Sequence, residues 1–187
     1  MKKILSAVTF AVFLSACGGG GGGSSQQVGQ FIDDPVSGLT YSCVSTGSTQ
    51  EVKGTTDADG HFNYLPGQTC TFKVGNVTLG SLTGVPADGK VTPQDVAGVS
   101  RSATAAPSAL AIAQFLQSLN DGTTNGRIVI PAATTTALSS VTAITLVSST
   151  GTVSQADLQT VVAAAGKTLV TASAAQSALD TQIASGA

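Results

Sequence analysis

The chain is 187 residues long, 42% hydrophobic, 10% charged and 4% aromatic, with one histidine, no tryptophan and a formal net charge of −2. That composition suits a globular chain and argues against charge-driven function. Eight Lys and Arg residues scattered from Lys2 to Lys167 build no patch that would displace counterions from a phosphate backbone, so nucleic-acid partners are set aside.

The chain opens with Met1-Lys2-Lys3, an apolar run from Ile4 to Phe13 and a small-residue region ending Leu14-Ser15-Ala16-Cys17. The apolar run falls short of the ~20 residues that span a bilayer and is soon followed by glycine, so residues 1–16 read as a secretory signal peptide. Leu14-Ser15-Ala16-Cys17 resembles the lipobox of bacterial lipoproteins. That resemblance implies cleavage before Cys17, acylation (palmitate among the chains) on Cys17, and a protein anchored to the lipid bilayer with no helix inside it. Losing Lys2 and Lys3 with the leader leaves six basic against ten acidic residues, a mildly acidic mature chain. No aspartate follows Cys17 to resemble an inner-membrane retention signal, so the outer membrane is the implied destination, on a side the sequence leaves open. Residues 17–27, the lipidated cysteine with Gly18 to Gly23 and the Ser/Gln residues after them, form a tether. A flexible coil of that length holds a domain only about 15–20 Å from its anchor.

Residues 28–85 read as a β-rich subdomain. Leu39 to Val44, His61 to Leu65, Thr69 to Val74 and Val77 to Ser81 alternate or are β-branched, with Gly47, Asp59-Gly60, Pro66-Gly67 and Gly75-Asn76 between them. Asp59-Gly60 and Gly75-Asn76 are hairpin signals, because these residues tolerate positive φ. With Cys17 consumed by lipid, Cys43 and Cys70 remain as an even pair in an oxidising compartment. Both lie in alternating apolar patterns that turn their thiols to one buried face, so a disulfide is expected.

Residues 86–187 read as a mainly helical subdomain. Thr92-Pro93-Gln94-Asp95 offers a hydroxyl cap, a proline at the first helical position and a carboxylate in the first turn. Pro107 to Leu119 is the clearest helix, with Ile112, Phe115, Leu116 and Leu119 on one stripe, ending at Asn120-Asp121-Gly122. Arg127 to Ile130 suggests a strand returning to the sheet, and residues 132–149 carry no clear period. Two C-terminal helices are expected from the pairs Ser154/Asp157 and Ser173/Gln176, the first stopped by Gly166. Their apolar stripes would be Leu158, Val161, Val162 and Ala165, then Ala174, Ala178 and Ile183 with Leu179. The expected fold class is α+β: a small antiparallel sheet of about four to five strands, one disulfide, and a packed C-terminal helical part.

Several stretches resemble modules of proteobacterial secreted lipoproteins and larger surface proteins. They are Gly38-Leu-Thr-Tyr-Ser-Cys43, Thr56-Asp-Ala-Asp-Gly-His-Phe-Asn-Tyr-Leu-Pro-Gly67, Val77-Thr-Leu-Gly80, Val91-Thr-Pro-Gln-Asp95, Ala111-Ile-Ala-Gln-Phe-Leu-Gln-Ser-Leu119, Asn125-Gly-Arg-Ile128 and the segment from Thr168 to Ala178. The resemblance names no activity. The hairpin segment around Asp57-Ala58-Asp59-Gly60 is also similar to turns of transthyretin-like and carboxypeptidase-regulatory-like β repeats, domains that usually bind or space.

Asp57 and Asp59, followed by Gly60, are spaced like the start of a calcium loop, and Asn120-Asp121-Gly122-Thr123-Thr124-Asn125 is a second acidic loop. Asp57, Asp59 and Asp121 are the candidate metal ligands, with calcium the candidate ion. The turn reading competes with it, since residues 62–66 supply only Asn63 where an EF-hand needs a bidentate glutamate. Asp33 and Asp34 join such a set only if the fold brings them near. No catalytic residue is assigned: His61 is the lone histidine without a Gly-x-Ser-x-Gly motif, and the carboxylates Glu51, Asp57, Asp59, Asp88 and Asp95 mostly sit beside glycine or at a cap. The functional expectation is a non-enzymatic outer-membrane lipoprotein, with no cofactor required, serving envelope interaction, adhesion or assembly through an envelope or extracellular protein. The alternative is a calcium- or carbohydrate-binding surface module.

Overall fold

The computed structural model describes residues 25–101, 106–148 and 151–184; the signal peptide, Cys17 and the tether up to residue 24 lie outside the described residues. The fold is α+β. The first strand, β1 (Gln27–Phe31), is followed by β2 (Val36–Ser37), β3 (Thr40–Val44), β4 (Glu51–Thr55), β5 (His61–Tyr64), β6 (Thr69–Val74), β7 (Val77–Thr83) and β8 (Lys90–Val91). Then come α1 (Pro93–Val96), α2 (Pro107–Leu119), β9 (Ile128–Val129), α3 (Ala132–Leu138), β10 (Ile144–Thr145), β11 (Val147–Ser148), β12 (Gly151–Thr152), α4 (Gln155–Ala164) and α5 (Ala172–Ala184).

The main sheet has the order β10-β7-β6-β3-β4, antiparallel except where β10 joins β7 in parallel. Its inner face follows from period-two alternation: Tyr41 and Cys43 of β3, Cys70, Phe72 and Val74 of β6, and Val77 and Leu79 of β7 are buried. Thr69, Thr71, Thr83 and Ser81 pair hydroxyl to hydroxyl on the outer face. Cys43 stands directly opposite Cys70, and the two form the disulfide between the middle strands β3 and β6.

Two strands depart from the expected single sheet. The Asp59-Gly60 turn does not return β5 onto β4; β5 crosses to a second, three-stranded sheet, β5-β1-β8, pairing antiparallel with β1. Arg127 to Ile130 does not rejoin the main sheet either, because β9 forms a short parallel pair with β2, Val36 opposite Ile128. The two sheets meet through aromatic rings: Phe31 and Phe62, both from the second sheet, sit edge-on to Phe72 of the main one, with centroids 5.0 and 5.1 Å apart. The unclear stretch after Pro131 folds as a threonine-rich helix, α3, whose end receives the β6–β7 turn: the Asn76 amide donates to the carbonyls of Ser139 (2.8 Å) and Val141 (3.0 Å).

Among the helices, α1 has its capping box, Thr92 N donating to Asp95 Oδ2 at 2.7 Å, with Pro93 first in the helix. The α2 stripe Ile112, Phe115, Leu116 and Leu119 is buried in the main core, which runs without a break from Phe31 to Val162. Its opposite side is buried too, since Gln114 accepts from Gln155 of α4 and donates to the Val170 carbonyl, and Ser118 accepts from Val170 N. These polar bonds fasten the C-terminal segment to a central helix. Ser154 caps α4 as expected, accepting from Asp157 N at 3.1 Å, and Leu158, Val161 and Val162 face inward. The last helix starts earlier than the Ser173/Gln176 pair suggested: Thr171 Oγ1 accepts from Ala174 N, and Gln176 turns instead to Asp180. Its buried residues are Ala175 and Leu179; Leu179 lies inward as expected, whereas Ala174 is exposed and Ala178 and Ile183 are only partly buried, so the face is shifted by about one position.

Candidate functional site

The 56–61 segment leads from the main sheet into the second one and is held from several sides. Thr56 is buried, its hydroxyl donating to the Val36 carbonyl (2.8 Å) and accepting from Leu39 N (3.0 Å). Asp57 then folds the turn upon itself: Oδ1 accepts from Asp59 N and His61 N, each at 2.9 Å, and Oδ2 lies 3.1 Å from His61 Nδ1. These donors, the His61 backbone N–H foremost, favour the ionised form and hold the Asp57 carboxyl below its usual range. Gly60 has φ +77°, and a Cβ there would stand 2.7 Å from the Phe31 carbonyl oxygen, so only glycine fits between turn and strand. Gln30 of β1 donates to the Asp59 carbonyl (2.8 Å), while Arg127 reaches across to the Ala58 carbonyl (2.8 Å) and the Asp59 carboxylate.

Asp57, Asp59 and His61 bring one ligand atom each to within 4.8 Å of one another. His61 joins the two acids that the sequence had singled out; its place four residues after Asp57 on a turn was the available signal. Asp121 is not part of this cluster. It sits in the loop after α2 and accepts from the backbone and hydroxyl of Thr123 at 2.9 and 2.8 Å, the backbone bond chiefly lowering its carboxyl pKa. Asp33 and Asp34 are likewise outside the cluster. Calcium takes six to eight oxygens, and this group offers two carboxylates already bonded to donors, plus an imidazole nitrogen.

The other acids that might serve general acid or base chemistry have partners in the fold. Glu51 accepts from the Ser42 hydroxyl and pairs with Lys53; Asp88 accepts from Lys90 N and meets Arg101; Asp95 closes the α1 cap and also holds Arg101. A groove of about 290 Å³ runs beside α4, lined by Val141, Ile144, Thr160, Val161 and Ala164 with Asp157, and contains none of the three predicted metal ligands. Asp33 is the acid whose environment the sequence did not foretell. It is 2% exposed, and burial pushes its carboxyl up to about 7. Compared with protein-family models, with curated proteins and with solved structures, the chain matches none.

Proposed function

We propose that the chain is an outer-membrane lipoprotein, held by acyl chains on Cys17, whose folded part is a non-enzymatic module for envelope interaction, adhesion or assembly. The observation that carries this reading is the order of segments: a basic, apolar leader ending Leu14-Ser15-Ala16-Cys17, a Gly/Ser tether, and a first strand at Gln27, ten residues after the cysteine. A disulfide between central strands suits the oxidising compartment to which such a leader delivers a protein. Among the described residues no helix is long and apolar enough to cross a membrane, which is compatible with attachment through lipid. The acids weighed for catalysis stabilise turns, caps and ion pairs, a use that favours a scaffold.

Labelling with palmitate followed by membrane fractionation tests the anchor. Label on the wild-type chain in the outer-membrane fraction, lost in Cys17→Ser, is the expected result; an unlabelled, fully soluble wild type would overturn it. A second reading takes the neighbouring carboxylates of Asp57 and Asp59 as the start of a calcium site, and thermal unfolding in EDTA or millimolar calcium decides between the two. A calcium-dependent rise of several degrees, abolished in Asp57→Ala, would replace the scaffold with a binding module.

A further inference from the structure

At four places the chain sets an aspartate or asparagine before glycine: Asp59-Gly60, Asp88-Gly89, Asp121-Gly122 and Asn125-Gly126. In such a pair the glycine nitrogen, unshielded by a side chain of its own residue, can attack the preceding side-chain carbonyl carbon and close a succinimide ring. That nitrogen must first give up its proton and swing toward the carbon, so an amide already donating a hydrogen bond is held back from reaction. The fold engages three of the four amides in this way. Gly60 N donates to the Asp57 carbonyl (3.0 Å), Gly89 N to the Pro86 carbonyl (2.9 Å) and Gly122 N to Asn120 Oδ1 (3.3 Å).

Gly126 is the exception. Among the described residues neither its N–H nor the Asn125 side chain has a hydrogen-bond partner. Both residues are exposed in the loop between α2 and β9; Gly126 has φ +69°, and nothing lies within 4 Å of where its Cβ would stand. The three other asparagines are differently placed. Asn63 lies inside β5 ahead of the bulky Tyr64, and the Asn76 amide is committed to the Ser139 and Val141 carbonyls. Asn120 donates to the Arg127 carbonyl and accepts from Val129 N, and the nitrogen after it, Asp121 N, donates to the Val129 carbonyl. These bonds also close the loop at its base, so a change at residues 125 and 126 leaves the closure intact.

We propose that Asn125 is a modification site at which the folded chain deamidates itself. The Gly126 nitrogen bonds to Asn125 Cγ as the bond from Cγ to the side-chain nitrogen breaks. Ammonia leaves, carrying that nitrogen, its two hydrogens and the proton from Gly126 N. Water then opens the succinimide at one carbonyl or the other, giving aspartate or isoaspartate, and is the only co-reactant. Either product puts a new carboxylate two residues before Arg127, the side chain that braces the 56–61 turn through the Ala58 carbonyl and the Asp59 carboxylate. The isoaspartate product also routes the main chain through the former side chain and lengthens the loop by one carbon.

Peptide mapping by mass spectrometry, on the full chain held folded at pH 5 or pH 8.5, tests the site. The expected result is a gain of about 1 Da confined to the peptide that holds Asn125, resolved by chromatography into two products. It should grow faster at pH 8.5, because the attacking nitrogen must lose its proton. Asn125→Gln, whose longer side chain closes a ring poorly, should abolish the gain. In guanidinium chloride the unfolded chain should add isoaspartate at Asp59, Asp88 and Asp121, which the folded chain holds unreacted. An Asn125 peptide that stays unmodified in the folded chain, whether or not it reacts when unfolded, would overturn the proposal. So would reaction in the folded chain at Asn63, Asn76, Asn120 or the three Asp-Gly pairs as fast as at Asn125.

Discussion

Replacing Cys43 and Cys70 together by alanine removes the crosslink between the two middle strands of the main sheet. The bond closes a loop with a sequence separation of 27, and the chain-entropy relation gives about 3.5 kcal/mol for that span. The loop contains β4, the Asp57–Gly60 turn and β5, the strand that leaves the main sheet to pair with β1. Without the bond, folding must therefore place a long segment that spans two sheets. Both sulfurs are fully buried beside Tyr41 and Phe72, so truncation adds a cavity cost of about 1 kcal/mol. Urea unfolding followed by circular dichroism should show the double variant less stable by about 3–5 kcal/mol. Its m-value should also be larger, since the uncrosslinked unfolded chain exposes more surface. The single variants should each lose nearly as much as the double, because either one abolishes the bond. A double variant within 1 kcal/mol of wild type and with an unchanged m-value would refute the reasoning and assign the stability to strand register alone.

Gly75→Ala should destabilise the fold by more than about 2 kcal/mol, because φ is +57° and the new Cβ would lie 2.5 Å from the Leu138 carbonyl carbon; thermal melts check it. Arg127→Ala removes a half-exposed ion pair to Asp59 and should cost less than about 1 kcal/mol globally, while exchange of the 58–60 amides speeds up. The pH profile of stability should have its maximum in mild acid. Asp33, raised to about 7 in the fold, makes stability decline as pH rises from about 4 to 7, by on the order of 4 kcal/mol. Asp57, Asp88 and Asp121, lowered by their donors, act in the opposite sense, and their contributions disappear as pH falls through their folded values. Denaturant midpoints between pH 3 and 9 would show this, and stability still rising from pH 5 to 8 would contradict the role given to Asp33.

Several segments that carry their own periodicity or punctuation meet the structure residue by residue, although the Ser173/Gln176 pair does not start the last helix. β6 and α2 have the expected bounds, and the Thr92 and Ser154 caps form as their spacing implies. The missed elements are those whose stability comes from elsewhere in the chain. β4, Glu51–Thr55, is an exposed edge with no alternating pattern and exists because it pairs with β3. Likewise α3 is built from Ala132-Ala-Thr-Thr-Thr-Ala-Leu138, poor in strong helix formers except alanine and leucine, and it is held by buried Leu138 and by Asn76 from the β6–β7 turn. The path of β5 was hidden for a related reason. A turn such as Asp59-Gly60 encodes a reversal, yet the partner of the outgoing strand depends on Phe62 and Phe31 both meeting Phe72 of the other sheet.

The same distinction governs the candidate site. Asp57 and Asp59 were legible as a pair, because Asp-x-Asp-Gly suits an Asx turn begun by Asp57 as well as the start of a cation loop. Local sequence does not separate the two uses; Arg127, about seventy residues away, supplies the cation that pairs with Asp59 and weights the turn toward structure. Asp33 shows the limit from the other side. Asp33-Asp34-Pro35 looks like a solvated turn, yet in the fold Asp33 is buried and bonded to Gln117 of α2, while Asp34 is bonded to Gln182 of α5. The surroundings of these two adjacent carboxyls are therefore a property of tertiary structure: two identical side chains, next to each other in the chain, are told apart by which helix each bonds to.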